Sequence, residues 1–337
     1  MGRKKDVLDR LAERLARGEI SEKTFLEIKG RYEKEGFPDE EPEEPREREY
    51  VIDVGKIIRG AMAAIPPIPA VAGMHGRHAV HASVHVTSGD YRGDEYRVTG
   101  VGSVNGNLAA RKVDVVGVCR VGGDCVTDEY QGAGTCKVEG NLSAKECVSA
   151  GILKVEGDVV ADRLTNSGMA KVEGNASAKG EFTNSGVLKV AGDALAQKLA
   201  NSGTFKVAGN VNSQTEIVHS GFLKAGGDVL AQDFRSSGAF SIGGVLRANR
   251  IVIEISEDSR ADALEGGEIR VTSRGRGVLE CDSVQGHTVY LEATLCDRVE
   301  GDDVEIGPRC RVEEVVARRL KVHETAHVGE KQVSGKA

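Results

Sequence analysis

Gly151-Ile152-Leu153-Lys154-Val155-Glu156-Gly157-Asp158-Val159-Val160-Ala161-Asp162-Arg163-Leu164-Thr165-Asn166-Ser167 runs straight into Gly168-Met169-Ala170-Lys171-Val172-Glu173-Gly174-Asn175-Ala176-Ser177-Ala178, one pattern written twice. Two markers keep this beat over a much longer stretch. One is glycine followed by Asp or Asn, at Gly106-Asn107, Gly123-Asp124, Gly140-Asn141, Gly157-Asp158, Gly174-Asn175, Gly192-Asp193, Gly209-Asn210 and Gly227-Asp228, an almost constant interval. The other is Gly134, Gly151, Gly168, Gly186, Gly203, Gly221 and Gly238, several of them inside Asn-Ser-Gly. A fixed period this short predicts a stacked solenoid, each repeat touching only its neighbours.

Aligned repeats show what one coil contains. In Leu153-Lys154-Val155, Ala170-Lys171-Val172, Leu188-Lys189-Val190 and Phe205-Lys206-Val207 the outer residues are apolar and the middle one charged, the alternation of a strand buried on one face. A second triplet follows the Gly-Asx corner (Leu142-Ser143-Ala144, Val159-Val160-Ala161) and a third precedes the Asn-Ser-Gly corner (Leu164-Thr165-Asn166, Phe182-Thr183-Asn184). The expected class is mainly β: a single-stranded triangular β-helix with a small N-terminal α-helical hairpin. Regular coils are expected over 101–255 and irregular ones over 256–328, within a β-helix spanning 84–328. That is roughly 14 coils, or about 65 Å of stack at a strand spacing of about 4.8 Å.

Outside the solenoid, 1–36 reads as the helical hairpin. Leu8, Leu11 and Leu15 fall at helical spacing, Gly18 stands at a C-cap position, and Ser21 can cap a second helix carrying Phe25, Ile28 and Tyr32. Residues 37–49 form an acidic, Pro-rich linker. Residues 50–83 read as an apolar, His-rich entry segment. Its stretch 50–74, broken at Pro66-Pro67, is either the cap of the first coil or a peripheral membrane contact. Residues 329–337 read as a polar tail.

Composition narrows the function. Apolar content is 39%, aromatic content 4% and Trp is absent, so the core must be narrow. A net charge of -7 argues against a nucleic-acid partner. Seven cysteines without a C-x-x-C pair suggest reduced thiols in a cytoplasmic protein. Met1-Gly2-Arg3-Lys4-Lys5 is followed by an amphipathic pattern, not the apolar run of a signal peptide.

The repeated polar positions are read as structural ladders. Asn107, Asp124, Asn141, Asp158, Asn175, Asp193, Asn210 and Asp228 alternate amide and carboxylate, so an amide can donate to each neighbouring carboxylate, and these residues tolerate positive φ at a corner. A Ca²⁺ ladder is the functional alternative for the same column. Asn166, Asn184 and Asn201, continued by His219 and Ser236, suggest a second ladder of stacked amides. Lys137, Lys154, Lys171, Lys189, Lys206 and Lys224 form an outward column. Glu139, Glu156 and Glu173 accompany its first half, but Ala191, Ala208 and Gly226 follow. Lys189, Lys206 and Lys224 therefore make a positive stripe, either a solvated face or a docking site for an acidic partner or lipid headgroup. His75, His78, His81 and His85 are the one candidate metal cluster, although no single element aims all four at one point. No nucleophile motif, phosphate loop or paired acids emerge, so neither enzymatic activity nor a cofactor is expected.

The coil pattern [Ser/Ala]-Gly-x-x-Lys-Val-x-Gly-[Asp/Asn], from about Val101 to Ile255, resembles the bactofilin family of polymer-forming cytoskeletal proteins. Residues Arg17-Gly18-Glu19-Ile20-Ser21-Glu22-Lys23-Thr24-Phe25 with the preceding leucines resemble the SHOCT-type oligomerisation or localisation module. The first resemblance implies a right-handed β-helix that polymerises end to end without nucleotide, the chain itself being the main partner. The second implies another protein bound through 1–36. A capped rod that binds a protein or membrane surface without polymerising is the alternative.

Overall fold

The computed structural model describes residues 79–334. Over that span the chain winds into a parallel β-solenoid of about 15 turns. Strands run from Ala79–Thr87 to His327–Val333, and no helix occurs among the described residues. The N-terminal hairpin, the linker and most of the entry segment lie outside the described residues.

Each regular coil contains a long strand and a short one, as in Leu142–Ser149 and Ile152–Val155, which stack on Val159–Asn166 and Met169–Val172. Like residues fall on like: Leu142 pairs with Val159, Cys147 with Leu164 and Lys154 with Lys171. The three expected triplets are present, but two belong to one continuous strand. Lys145 and Glu146 turn the corner between them with both side chains outward, while Glu146 still pairs with Arg163. The pairing skips Lys145 and resumes at Glu146, and at equivalent bends a hydroxyl takes up the freed carbonyl, as Thr127 does for Arg111 (3.1 Å) and Ser213 for Gln197 (2.9 Å).

This bend also absorbs length. Regular coils that are longer by a residue carry it there, shifting register between Ala178 and Glu181 and between Asn212 and Glu216. The two glycine corners stay in register.

The core is a narrow prism. Val121, Val138, Val155, Val172, Val190 and Val207 line one column, and Ala144, Ala161, Ala178 and Ala196 another, all buried. The alanine column leaves room for the bulky residues of the other faces, such as Phe182 and Phe205, whose rings sit 5.4 Å apart. Burying a valine contributes about 1.5 kcal/mol or more, and every layer repeats the contribution.

Beyond Ile255 the coils change length. Ile269 pairs with Val289, Val289 with Val304 and Val304 with Leu320, so one coil longer than the regular ones is followed by two that are shorter. The shorter coils turn at Ala293 (φ 47°) and Arg309 (φ 63°), the only described non-glycine residues with positive φ. The longest coil bulges at 273–277, and Arg309 ties that bulge down. Its guanidinium donates to the carbonyls of Gly275 (2.8 Å), Arg276 (2.8 Å) and Gly277 (3.2 Å).

Both limits of the solenoid lie further out than the sequence suggests. Pairing begins at Ala79, before Val84, and His327–Val333 stacks on Arg311–Val322, so 329–333 belongs to the last coil and not to a polar tail. Charged Glu330 and Lys331 in that strand hide it from an alternation count.

Removing the Arg309 clamp should free the bulge. Trypsin cleavage after Arg274 and Arg276 is expected to be several-fold faster in Arg309→Ala than in the wild type at equal Tm. Unchanged cleavage would mean that the guanidinium bonds do not restrain it.

Candidate functional site

The Gly-Asx corners stack into a staircase. The side-chain Oδ1 of each Asx accepts the backbone N–H of the Asx one coil on: Asn107 from Asp124 (2.8 Å), Asp124 from Asn141 (2.7 Å), Asn141 from Asp158 (2.8 Å) and Asp158 from Asn175 (2.7 Å). The pattern continues through Asp193 and Asn210 to Asp228, whose Oδ1 ends it on the N–H of Val245 (2.9 Å). Asp90 begins it, accepting from Asn107 (2.8 Å). The sequence signal for Asp90 is Gly89-Asp90, one period before Gly106-Asn107.

Two expectations change here. The main link is main chain to side chain. The amide-to-carboxylate bond is secondary, formed at 3.3 Å by Asn141 to Asp124 and by Asn210 to Asp193. Alternation is therefore not needed to make the bonds; it separates the carboxylates, which then lie two coils or about 9.6 Å apart. Carboxylates at that spacing cannot converge on one Ca²⁺, whose ligand distances are about 2.3–2.6 Å. Positive φ plays no part either, since none of these Asx residues adopts it.

The corner glycines are required for space. A Cβ on Gly157 would lie 2.4 Å from Asn141 Oδ1, and one on Gly174 2.2 Å from Asp158 Oδ1. In the second column a Cβ on Gly151 would meet the Gly134 carbonyl at 2.0 Å.

Inside the solenoid the amide ladder runs from Asn166 Nδ2 to Asn184 Oδ1 (2.8 Å) and from Asn184 Nδ2 to Asn201 Oδ1 (2.7 Å). Asn201 Nδ2 continues to His219 Nδ1 (3.0 Å), and His219 Nε2 donates to the Ala239 carbonyl (2.8 Å). The ring therefore accepts at Nδ1 and is neutral. Burial holds its pKa below the ordinary imidazole range.

The lysine column divides as its neighbours change. Lys137 bonds Glu139 (2.8 Å) and Glu156 (3.0 Å), Lys154 bonds Glu156 (3.3 Å) and Lys171 bonds Glu173 (2.5 Å). Lys189, Lys206 and Lys224 are exposed, stand in register and have no acidic partner among the described residues. They border a shallow cavity of about 270 Å³ floored by Val190 and Val207. Lys206 Nζ lies 5.8 Å from the centre of the Phe222 ring.

His85 points inward at the first described coils. It bonds the Thr87 hydroxyl (2.8 Å) and packs edge-on against Tyr96, ring centres 5.7 Å apart. His81 belongs to the same strand, whereas His75 and His78 lie outside the described residues. All seven cysteines are buried free thiols. Burial raises the Cys147 thiol to about 12, which keeps it protonated and inert at neutral pH. No described helix is long and apolar enough to cross a membrane.

Compared with protein-family models, curated proteins and solved structures, the chain matches none.

Two outcomes test the ladders. Gly157→Ala is expected to destabilise the protein by about 1–3 kcal/mol in denaturant unfolding, because a methyl group has no room between coils. His219→Asn should preserve the ladder while removing a titrating group. The folded pKa of His219 is depressed, so its contribution is complete above the unfolded value of about 6.5 and is lost as pH falls below it. Between pH 7.5 and 5.5 the Tm of the wild type should fall further than that of His219→Asn; equal falls would place His219 outside the ladder.

Proposed function

We propose that this chain is a non-enzymatic, bactofilin-like scaffold that assembles through the ends of its β-solenoid without nucleotide. The supporting observation is the terminal edge. His327–Val333 pairs only with Arg311–Val322 among the described strands, so its outer row of N–H and C=O groups has no partner there. Such an edge forms a template for another strand unless it is covered. The core beneath reaches that edge, where Leu320, Val322 and Val328 pack against the main cluster but stay partly exposed. A second copy stacked there would extend both the ladder and the core.

One feature favours the alternative of a short rod that displays its sides to a protein or a membrane surface. Exposed Glu330 and Lys331 on the last strand are the kind of charges that discourage edge pairing. Under either reading the partners are macromolecular surfaces and the locale is cytoplasmic.

Negative-stain microscopy of the purified chain separates the two. Filaments of indefinite length are expected, and Val328→Lys, which places a charge on the final core layer, should shorten them to single particles with unchanged β-sheet circular dichroism. Uniform short rods from the wild type would reject end-to-end assembly and favour the displayed-surface reading.

A further inference from the structure

The face that carries the lysines also carries their complement. An unbroken path of paired residues leads from Lys224 to Ser241, then Arg260, Glu280, Leu295 and Arg311. All of these occupy the same outward column as Lys189 and Lys206. The adjacent column, which is Glu139, Glu156 and Glu173 upstream, becomes Ala191, Ala208 and Gly226 and then returns to acid at Asp262, Asp282, Asp297 and Glu313. Arg260 and Arg311 share layers with Asp262 and Glu313, without an ion pair to either among the described residues, and Arg260 also stands in register with Glu280. Glu280, Asp282 and Asp297 remain, all exposed and without a cationic partner among the described residues. They border a second shallow cavity, of about 370 Å³.

One face therefore holds a surplus of three cations, a neutral coil at Ser241 and Gly243, a balanced coil at Arg260 and Asp262, and then a surplus of three anions, in that order along the axis. Between the Lys171 and Arg311 layers the same face also exposes apolar side chains: Met169, Phe222 and Leu295 are 56, 37 and 38% exposed. Other faces carry charges too, but largely as cross-coil pairs such as Lys145 with Asp128 and Lys198 with Glu216.

We propose that this face binds a second copy of the chain, antiparallel, about a two-fold axis lying across the solenoid at the Ser241 coil. The layout selects that arrangement. Two copies aligned in parallel would oppose lysine to lysine and acid to acid. Reversing one copy about the Ser241 coil brings Lys189 opposite the layer of Leu295 and Asp297 and Lys206 opposite that of Glu280 and Asp282, while Lys224 meets the balanced layer of Arg260 and Asp262. The two-fold makes every contact twice, as a self-complementary interface requires.

The overlap runs from the Lys171 layer to the Arg311 layer, about 38 Å by about 13 Å for a four-residue strand, or roughly 500 Å² per copy. A specific interface needs about 1000 Å² in total, so the dimer sits at the lower limit and should be weak and governed by charge. This pairing is independent of stacking through the ends and goes beyond the scaffold reading.

Sedimentation velocity on the full chain at about 50 mM and about 500 mM salt tests it, with two charge-reversal variants. One is Lys189→Glu/Lys206→Glu/Lys224→Glu, the other Glu280→Lys/Asp282→Lys/Asp297→Lys. The wild type should pair at low salt and separate at high salt, where screening falls to about 4 Å. Each variant alone should pair on the order of tenfold more weakly or worse, and their equimolar mixture should recover a one-to-one dimer, which also shows that both are folded. Carbodiimide coupling of mixed ¹⁴N and ¹⁵N wild-type chains should join Lys206 to Glu280 or Asp282 between copies. Within one copy those residues are four layers, about 19 Å, apart. A wild type that never pairs, pairing indifferent to salt and charge reversal, or failure of the mixture to recover would overturn the proposal. Filaments without this cross-link would reject lateral pairing and leave end stacking standing; paired short rods with the cross-link would do the reverse.

Discussion

The spacing between coils, about 4.8 Å and in register, governs everything else in this molecule. Whatever stands at a position stands over its own counterpart in the next layer, so each choice of residue becomes a column. Valine in such a column becomes a continuous core, asparagine an amide ladder, and glycine a seam where two backbones approach too closely for a Cβ. The Gly-Asx corner joins two of these effects. Asn141 Oδ1 occupies the space that a Gly157 side chain would need and uses it to bond the N–H of Asp158. The glycine and the Asx are thus one device: the first makes room for the bond that the second forms with the following layer.

That device explains which parts of the chain could be read from its residues alone. A strict period leaves few alternatives, and over 101–255 the coil contents and inward positions follow from alternation. The reason given for the corners does not survive. Glycine, Asn and Asp suggest positive φ to anyone reading a single turn, whereas here they answer to the layer below, a constraint that appears only when turns are stacked. The corner at Lys145-Glu146 misleads for a related reason: it has no punctuating glycine because it never interrupts the strand.

The candidate site was legible only in part. Lys189, Lys206 and Lys224 stand out because their coils are regular. Glu280, Asp282 and Asp297 belong to the same face, yet coils of unequal length place them out of step with any fixed period. Their alignment with the lysines depends on the pairings Ser241 to Arg260 and Arg260 to Glu280, which no count along the sequence supplies.

The unbalanced stripe is costly for an isolated molecule. Two unit charges at the coil spacing repel by about 0.9 kcal/mol even in bulk water. Upstream coils show that the remedy fits the fold, since Glu139, Glu156 and Glu173 occupy the neighbouring outward position and bond the lysines beside them. Extending that acid to positions 191, 208 and 226 would relieve the repulsion without touching the core. The chain, with a net charge of -7, instead leaves three cations in line and gathers three unpaired acids three or more layers away on the same face. The two groups cannot meet within one copy, because side chains cannot span that distance. Lys189 and Lys206 would meet the surplus acids when a second copy is reversed against the first, and a surface unfavourable alone yet self-complementary in pairs is how an interface differs from a merely solvated face.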